Sequence, residues 1–249
     1  MRPYEDKFVI QMINRYNKLL NEEESGMYKI VKTKEEKLAG YLYEEEKNVN
    51  LEIPKLFHGD NLIMELTPKD IQGYFEFIKN AKGRVGIVGL GLGYLVQELA
   101  KKKEVTEIIV YEISSEVIEL YKKNFKNKRK VKLLEQDAYK AEKEKFDFFF
   151  VDIYNEQLTE QCAEDYKIFT KMHEIEEYSF WGVEHFLLSC SYEEIVWVFI
   201  PELWMDMAKD ISRILTESGN LESYKPLEPE LVSKVLASFK EVLNEGEEY

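Results

Sequence analysis

Val88-Gly89-Leu90-Gly91-Leu92-Gly93-Tyr94 sets three residues without a Cβ at alternate positions, directly after an apolar run. Such a stretch turns tightly and lets a ligand lie against the main chain. A following helix would aim its first amides at that ligand. Three acids come next at regular intervals: Glu112 closes Val110-Tyr111-Glu112, Asp137 follows Glu135-Gln136, and Asp152 closes the apolar run Phe148 to Val151. If each ends a strand of one parallel sheet, all three carboxylates share the sheet edge where open α/β folds bind ligands. A carboxylate at the second strand's end accepts hydrogen bonds from a ribose diol. A dinucleotide reading needs a small residue at the sixth position of the glycine turn. Counted from Gly89 that position is Tyr94, and from Gly91 it is Val96. Neither is small, so the spacing fits a ligand without a pyrophosphate.

Each acid has a competing local role. Glu112 can cap the next helix or sit at the surface, and Asp152 can cap the helix that follows it. Glu135 replaces Asp137 after a small shift of register. Asp152 is nevertheless the candidate for orienting or deprotonating a nucleophile, with Tyr154 lining the pocket. His58, His173 and His185 are read as structural or surface residues, because no second histidine follows His173-Glu174 at zinc-hydrolase spacing. No G-x-S-x-G serine elbow occurs. No metal site is expected.

Val85 to Tyr94 resembles motif I of the class I S-adenosylmethionine-dependent methyltransferases. Taken with Val110-Tyr111-Glu112-Ile113 and Phe146 to Asp152, the likeness is nearest to the spermidine synthase-like branch, over about the middle third of the chain. The resemblance implies S-adenosylmethionine as cofactor. It implies that the turn Gly89, Gly91, Gly93 and Tyr94 cradles the amino acid part of that cofactor, and that Glu112, followed by Ile113, holds the ribose hydroxyls. Asp137 would stand near the adenine amino group, Ala138 beside the ring, and Asp152 at the reacting end. Two departures bear on the substrate. Where aminopropyltransferases carry D-x-x-D-P, this chain has Asp152-Ile153-Tyr154-Asn155-Glu156, with the second acid and the proline replaced. An N-P-P-Y type sequence is absent as well. Three functions follow as expectations: a methyltransferase acting on a small molecule or a protein side chain, an aminopropyltransferase-like enzyme using the decarboxylated cofactor, and a non-catalytic scaffold that retains the adenosyl ligand.

The elements that must position these groups can be read from periodicity. From Arg84 the chain alternates strand and helix, with strands at Val85–Val88, Glu107–Tyr111, Val131–Leu134 and Phe146–Val151, and helices at Tyr94–Lys103 and Ser115–Phe125. The expected fold is therefore α/β, a Rossmann-like, doubly wound, mostly parallel sheet. Residues 81–249 would form this domain with a helical C-terminal part: a strand at Val183–Ser189 and helices at Ile211–Glu217 and Glu230–Leu243. Residues 1–80 read as an extension with a helix over Phe8–Leu20, strands at Met27–Val31, Leu38–Tyr43, Val49–Ile53 and Asn61–Leu66, turns that include Glu46-Lys47-Asn48, and a helix over Asp70–Lys79 opened by Thr67-Pro68.

The chain of 249 residues carries a formal net charge of −14. This disfavours phosphate backbones and anionic lipid as partners, so nucleic acid is not expected and neither is a membrane. Two cysteines without metal or disulfide spacing, and an N-terminus without an apolar signal segment, point to the cytoplasm. The aromatic-rich stretch from Tyr178 to Trp204 is expected in the core, with a pocket wall or a homodimer contact as sharper roles.

Overall fold

The computed structural model describes residues 2–43, 47–126, 128–155 and 157–245. Of the expected turn at Glu46-Lys47-Asn48, Glu46 lies outside the described residues and Lys47 and Asn48 belong to a strand, where they pair with Leu38 and Lys37; Glu156 also lies outside the described residues.

Helix α1 (Asp6–Leu19) opens the chain and buries Val9, Ile13 and Tyr16 along one stripe. Four strands follow: β1 (Glu24–Ser25), β2 (Tyr28–Leu38), β3 (Lys47–His58) and β4 (Asn61–Glu65). They form an antiparallel sheet in sequence order. The strand expected at Leu38–Tyr43 is absent. Instead β2 runs on through its charged half to Leu38, with Lys55 of β3 pairing with Glu35 and Glu65 at 2.7 and 3.0 Å. The chain then bends at Gly40. Its apolar residues are buried without a ladder because other groups satisfy the backbone: Tyr41 N–H donates to Gln72 Oε1 at 2.8 Å, and Leu42 C=O accepts from Lys225 N–H at 3.0 Å.

Two short helices, α2 (Pro68–Gly73) and α3 (Phe75–Asn80), replace the single one expected. Thr67 and Asp70 form the capping box that starts the first, with the Thr67 amide and hydroxyl both on the Asp70 carboxylate at 2.8 Å.

The central sheet holds β5 (Gly83–Val88), β6 (Val105–Glu112), β7 (Val131–Glu135), β8 (Lys145–Val151) and β9 (Glu174–Phe180). All are parallel, in the order β7-β6-β5-β8-β9. Helices α4 (Tyr94–Leu99), α5 (Ser115–Asn124) and α6 (Gln161–Met172) connect them. Phe149 of β8 meets Phe169 of α6 with ring centres 5.3 Å apart, whereas Phe150 meets Phe77 of α3 at 4.3 Å. Opposite faces of β8 are thus both covered, which is why its sequence is apolar at nearly every position. This is the Rossmann-like α/β fold expected, with an added antiparallel sheet.

The C-terminal part corrects one element. Val183–Ser189 is helix α7, not a strand. Val183, Phe186 and Leu187 are buried at helical spacing after Gly182, which takes φ +97°. The strand of this region is β9, whose first half, Glu174 to Glu177, is too polar to stand out. It pairs only with β8, so its outer edge needs no continuous apolar run. Helices α8 (Tyr192–Ile195), α9 (Glu202–Glu217) and α10 (Pro229–Leu243) complete the chain. No helix among the described residues is long and apolar enough to cross a membrane.

Candidate functional site

The carboxyl ends of β5, β6, β7 and β8 surround a cavity of about 550 Å³. Its floor is the glycine turn. Gly89 (φ +96°), Gly91 (φ +49°) and Gly93 (φ +76°) all occupy the left-handed region that disfavours a side chain. Gly89 N–H donates to Tyr111 C=O of β6 at 3.0 Å, while Asp152 N–H donates to Val88 C=O at 3.0 Å. The turn is therefore held by both neighbouring strands. A Cβ on Gly89 would overlap the carbonyl oxygen of Asp152.

Glu112 ends β6 with its carboxylate under the turn. Leu90 N–H donates to Oε2 at 3.1 Å and Ser114 N–H to Oε1 at 2.9 Å. Burial raises its pKa, and the amides of Ser114, Leu90 and Ile113 oppose that shift. With three amides on it, the carboxylate keeps acceptor capacity for an outside donor. The helix-capping role weighed for Glu112 falls to Ser114, whose Oγ accepts from Val117 N–H at 3.1 Å. Asp137 follows β7 and accepts from Tyr139 N–H at 3.1 Å. Lys140 and that amide hold its carboxyl below the usual range. Asp152 follows β8, and the hydroxyl of Tyr74 donates to its Oδ2.

The cavity brings together Gly89, Gly91, Glu112, Ile113, Asp137, Ala138 and Asp152 from the sequence-derived set. It does not bring in three others. Gly93 is backed by the Tyr121 ring, Tyr94 is buried with its ring 5.0 Å from that of Tyr16, and Tyr154 turns inward to donate to Asp165 Oδ2 at 2.9 Å. Tyr154 is therefore a support behind the β8 loop, not a wall of the pocket.

Sequence reasoning missed the opposite wall. Tyr28, Leu56, Ile63 and Met64 come from the antiparallel sheet, Asp70 and Tyr74 from α2 and the residue after it, and Trp181 from the end of β9. Met64 lies against the glycine turn. Leu92 N–H donates to its Sδ at 3.4 Å, and a Cβ on Gly91 would overlap that sulfur. Among the described residues the lining includes Asp70, Glu112, Asp137 and Asp152 but no lysine, arginine or histidine. Such a wall suits a cation or a neutral polar group and repels a pyrophosphate. No group of three or more metal-ligating side chains occurs among the described residues.

The aromatic stretch divides by burial. Trp204 and Phe180 are fully buried and Trp181 forms cavity wall, whereas Trp197 and Phe199 are exposed.

Residues 74–174 match the family model described as the methyltransferase small domain, less than half of the chain. No curated protein matches. The solved structures that are similar include spermidine synthase from Thermotoga maritima, 14% identical with TM-score 0.40, covering 80% of this chain and 62% of that one. Trm5b from Pyrococcus abyssi is 13% identical with TM-score 0.40, covering 75% and 56%. Precorrin-8w decarboxylase from Methanobacterium thermoautotrophicum is 21% identical with TM-score 0.30, covering 39% and 52%. The chain thus spans between half and two thirds of the length of these structures. Strand order and the glycine turn give the central unit a Rossmann-like α/β fold, and its span from Tyr74 to Glu174 is similar to the methyltransferase small domain.

Proposed function

We propose that the cavity binds S-adenosylmethionine and that the chain is a methyltransferase acting on a small molecule or a protein side chain. One observation carries this reading: a turn with glycine at alternate positions and three strand-end acids converge on a single cavity that, among the described residues, no basic side chain lines. Glu112 would accept the ribose hydroxyls. Ile113, three-quarters exposed at the mouth, and buried Ala138 would flank the adenine, with Asp137 at its amino group. Bound there, the cofactor supplies an electrophilic methyl on a sulfonium. Asp152 orients the acceptor nucleophile and takes up its proton, and Tyr74 fixes the orientation of that carboxylate.

A second reading has its own support. An α-carboxylate needs donors, and Leu90 and Leu92 already give their amides to Glu112 and Met64. A decarboxylated adenosyl ligand would suit that end better, as an aminopropyl-transferring enzyme requires. Calorimetry with S-adenosylmethionine, S-adenosylhomocysteine and decarboxylated S-adenosylmethionine separates the cases. Micromolar binding of the first two supports methyl transfer. A tenfold or larger preference for the third supports aminopropyl transfer, and no binding to any of them leaves a scaffold that has kept the fold without the ligand.

Met64 gives a prediction specific to this chain. Met64→Ala should tighten S-adenosylhomocysteine binding severalfold, because the thioether no longer competes for the Leu92 amide. It should also cost about 1 kcal/mol of stability through lost packing. Weaker binding in the variant would mean that Met64 holds the ligand rather than blocks it.

A further inference from the structure

Behind the cavity stands a carboxylate that none of the roles above uses. Asp165, on α6, is completely buried. Three donors converge on it: Tyr139 Oη at 2.8 Å and Gln161 Nε2 at 2.7 Å on Oδ1, and Tyr154 Oη at 2.9 Å on Oδ2. Gln161 is one turn away on the same helix. The two tyrosines are not local to α6. Tyr139 belongs to the 3₁₀ turn Ala138–Lys140 after β7, next to Asp137 and Ala138. Tyr154 belongs to the loop after β8, next to Asp152, Ile153 and Asn155.

We infer that Asp165 is a positioning residue that fixes the β7 and β8 loops relative to each other, and with them the adenine end and the reacting end of the site. It touches no ligand. Its two oxygens set the positions of two phenols, and the phenols set two loops. Tyr139 also stacks on Phe169 of the same helix, with ring centres 5.2 Å apart and planes 19° apart. That stack and the bond to Asp165 hold the ring at two points, although Tyr139 is 38% exposed and its other side faces the cavity. Tyr154 packs edge-on to Phe180 at 6.4 Å, which holds its ring against the end of β9. A buried carboxylate is costly unless its oxygens are satisfied, so Asp165 needs the donors that the two loops bring to it. At the β8 loop Asn155 takes φ +48°, the left-handed conformation that asparagine tolerates in tight turns.

The inference rests on the ligand reading above for its functional consequence but not for its first test. Amide hydrogen exchange is followed in the wild type, Asp165→Asn, Tyr139→Phe and Tyr154→Phe. Asparagine keeps one acceptor and the shape. In Asp165→Asn the amides of residues 138–140 and 152–155 are expected to exchange at least tenfold faster together, while those of β5 and β6 are unchanged. Each Phe variant should loosen its own loop fully and the other partly. Acceleration confined to α6, or in one loop alone in Asp165→Asn, overturns the inference. The second readout is S-adenosylhomocysteine affinity. A five- to twentyfold rise in Kd is expected in Asp165→Asn, with Tyr139→Phe and Tyr154→Phe adding little in that background. Additive losses, or an unchanged Kd in a folded variant with faster loops, would reduce Asp165 to a packing role. Wild-type protein that fails to bind the ligand sinks the cofactor reading, and the exchange result then stands or falls by itself.

Discussion

Gly89→Val is expected to abolish measurable adenosyl-ligand binding, a loss of more than a hundredfold, and to destabilise the fold by about 3 kcal/mol. Two costs add at this position. The backbone at φ +96° is unfavourable for a β-branched residue, and the new Cβ would lie on the carbonyl oxygen of Asp152, which is main chain and cannot swing away. Gly91 provides the contrast. Its φ of +49° is strained for valine, but the obstructing atom is the sulfur of a flexible methionine. Gly91→Val should therefore fold better than Gly89→Val while still weakening binding. Calorimetry and thermal unfolding on both variants check the order. A folded Gly89→Val protein with wild-type affinity would remove the glycine turn from the site.

Stability should fall as pH rises from about 4.5 to about 8, and Glu184→Gln should flatten that slope. Glu184 lies on α7, 2% exposed, with Tyr41 Oη donating to its Oε2 at 2.9 Å. Burial is the main cause that pushes its pKa up to about 8, and Glu76 nearby adds to it. The folded-state value lies above the unfolded one. Between the two, the unfolded chain releases a proton that the folded protein keeps. This stabilising contribution is complete below about pH 4.5 and lost as pH climbs through 8. The difference is of order 3–5 kcal/mol between the two limits. Urea unfolding at pH 5, 7 and 9 measures it. Glu184→Gln should be the more stable protein at pH 9 and lose its advantage at pH 5. Parallel pH profiles for the two proteins would mean that Glu184 is ionised in the fold.

The half of the site that could be read from the chain is the half built by consecutive strands. In a parallel sheet each strand ends at the same edge, so Gly89, Glu112, Asp137 and Asp152 converge once strand spacing is known. The departures have the same root. Tyr94 and Tyr154 lie close in sequence to lining residues, but long-range partners turn both inward: the Tyr94 ring packs on Tyr16 and the Tyr154 hydroxyl donates to Asp165. Met64, Tyr74 and Trp181 reach the cavity through packing between distant segments, which no local pattern encodes. Helix α7 was mistaken for a strand because Val183, Phe186 and Leu187 are as apolar as a buried strand. The adjoining β9 hid its strand character behind Glu174, Glu176 and Glu177.

The middle strand of the parallel sheet has one further consequence. β5 is flanked by β6, which follows it soon, and by β8, which arrives only after about forty more residues have been added. A nascent chain that has left the ribosome only as far as β7 carries the glycines and Glu112 but lacks the wall that Asp152 provides. Such an intermediate holds only part of the lining, and the cavity is complete only after β8 and the residues behind it have been made. A ligand that binds only the finished form draws late folding steps toward completion by mass action.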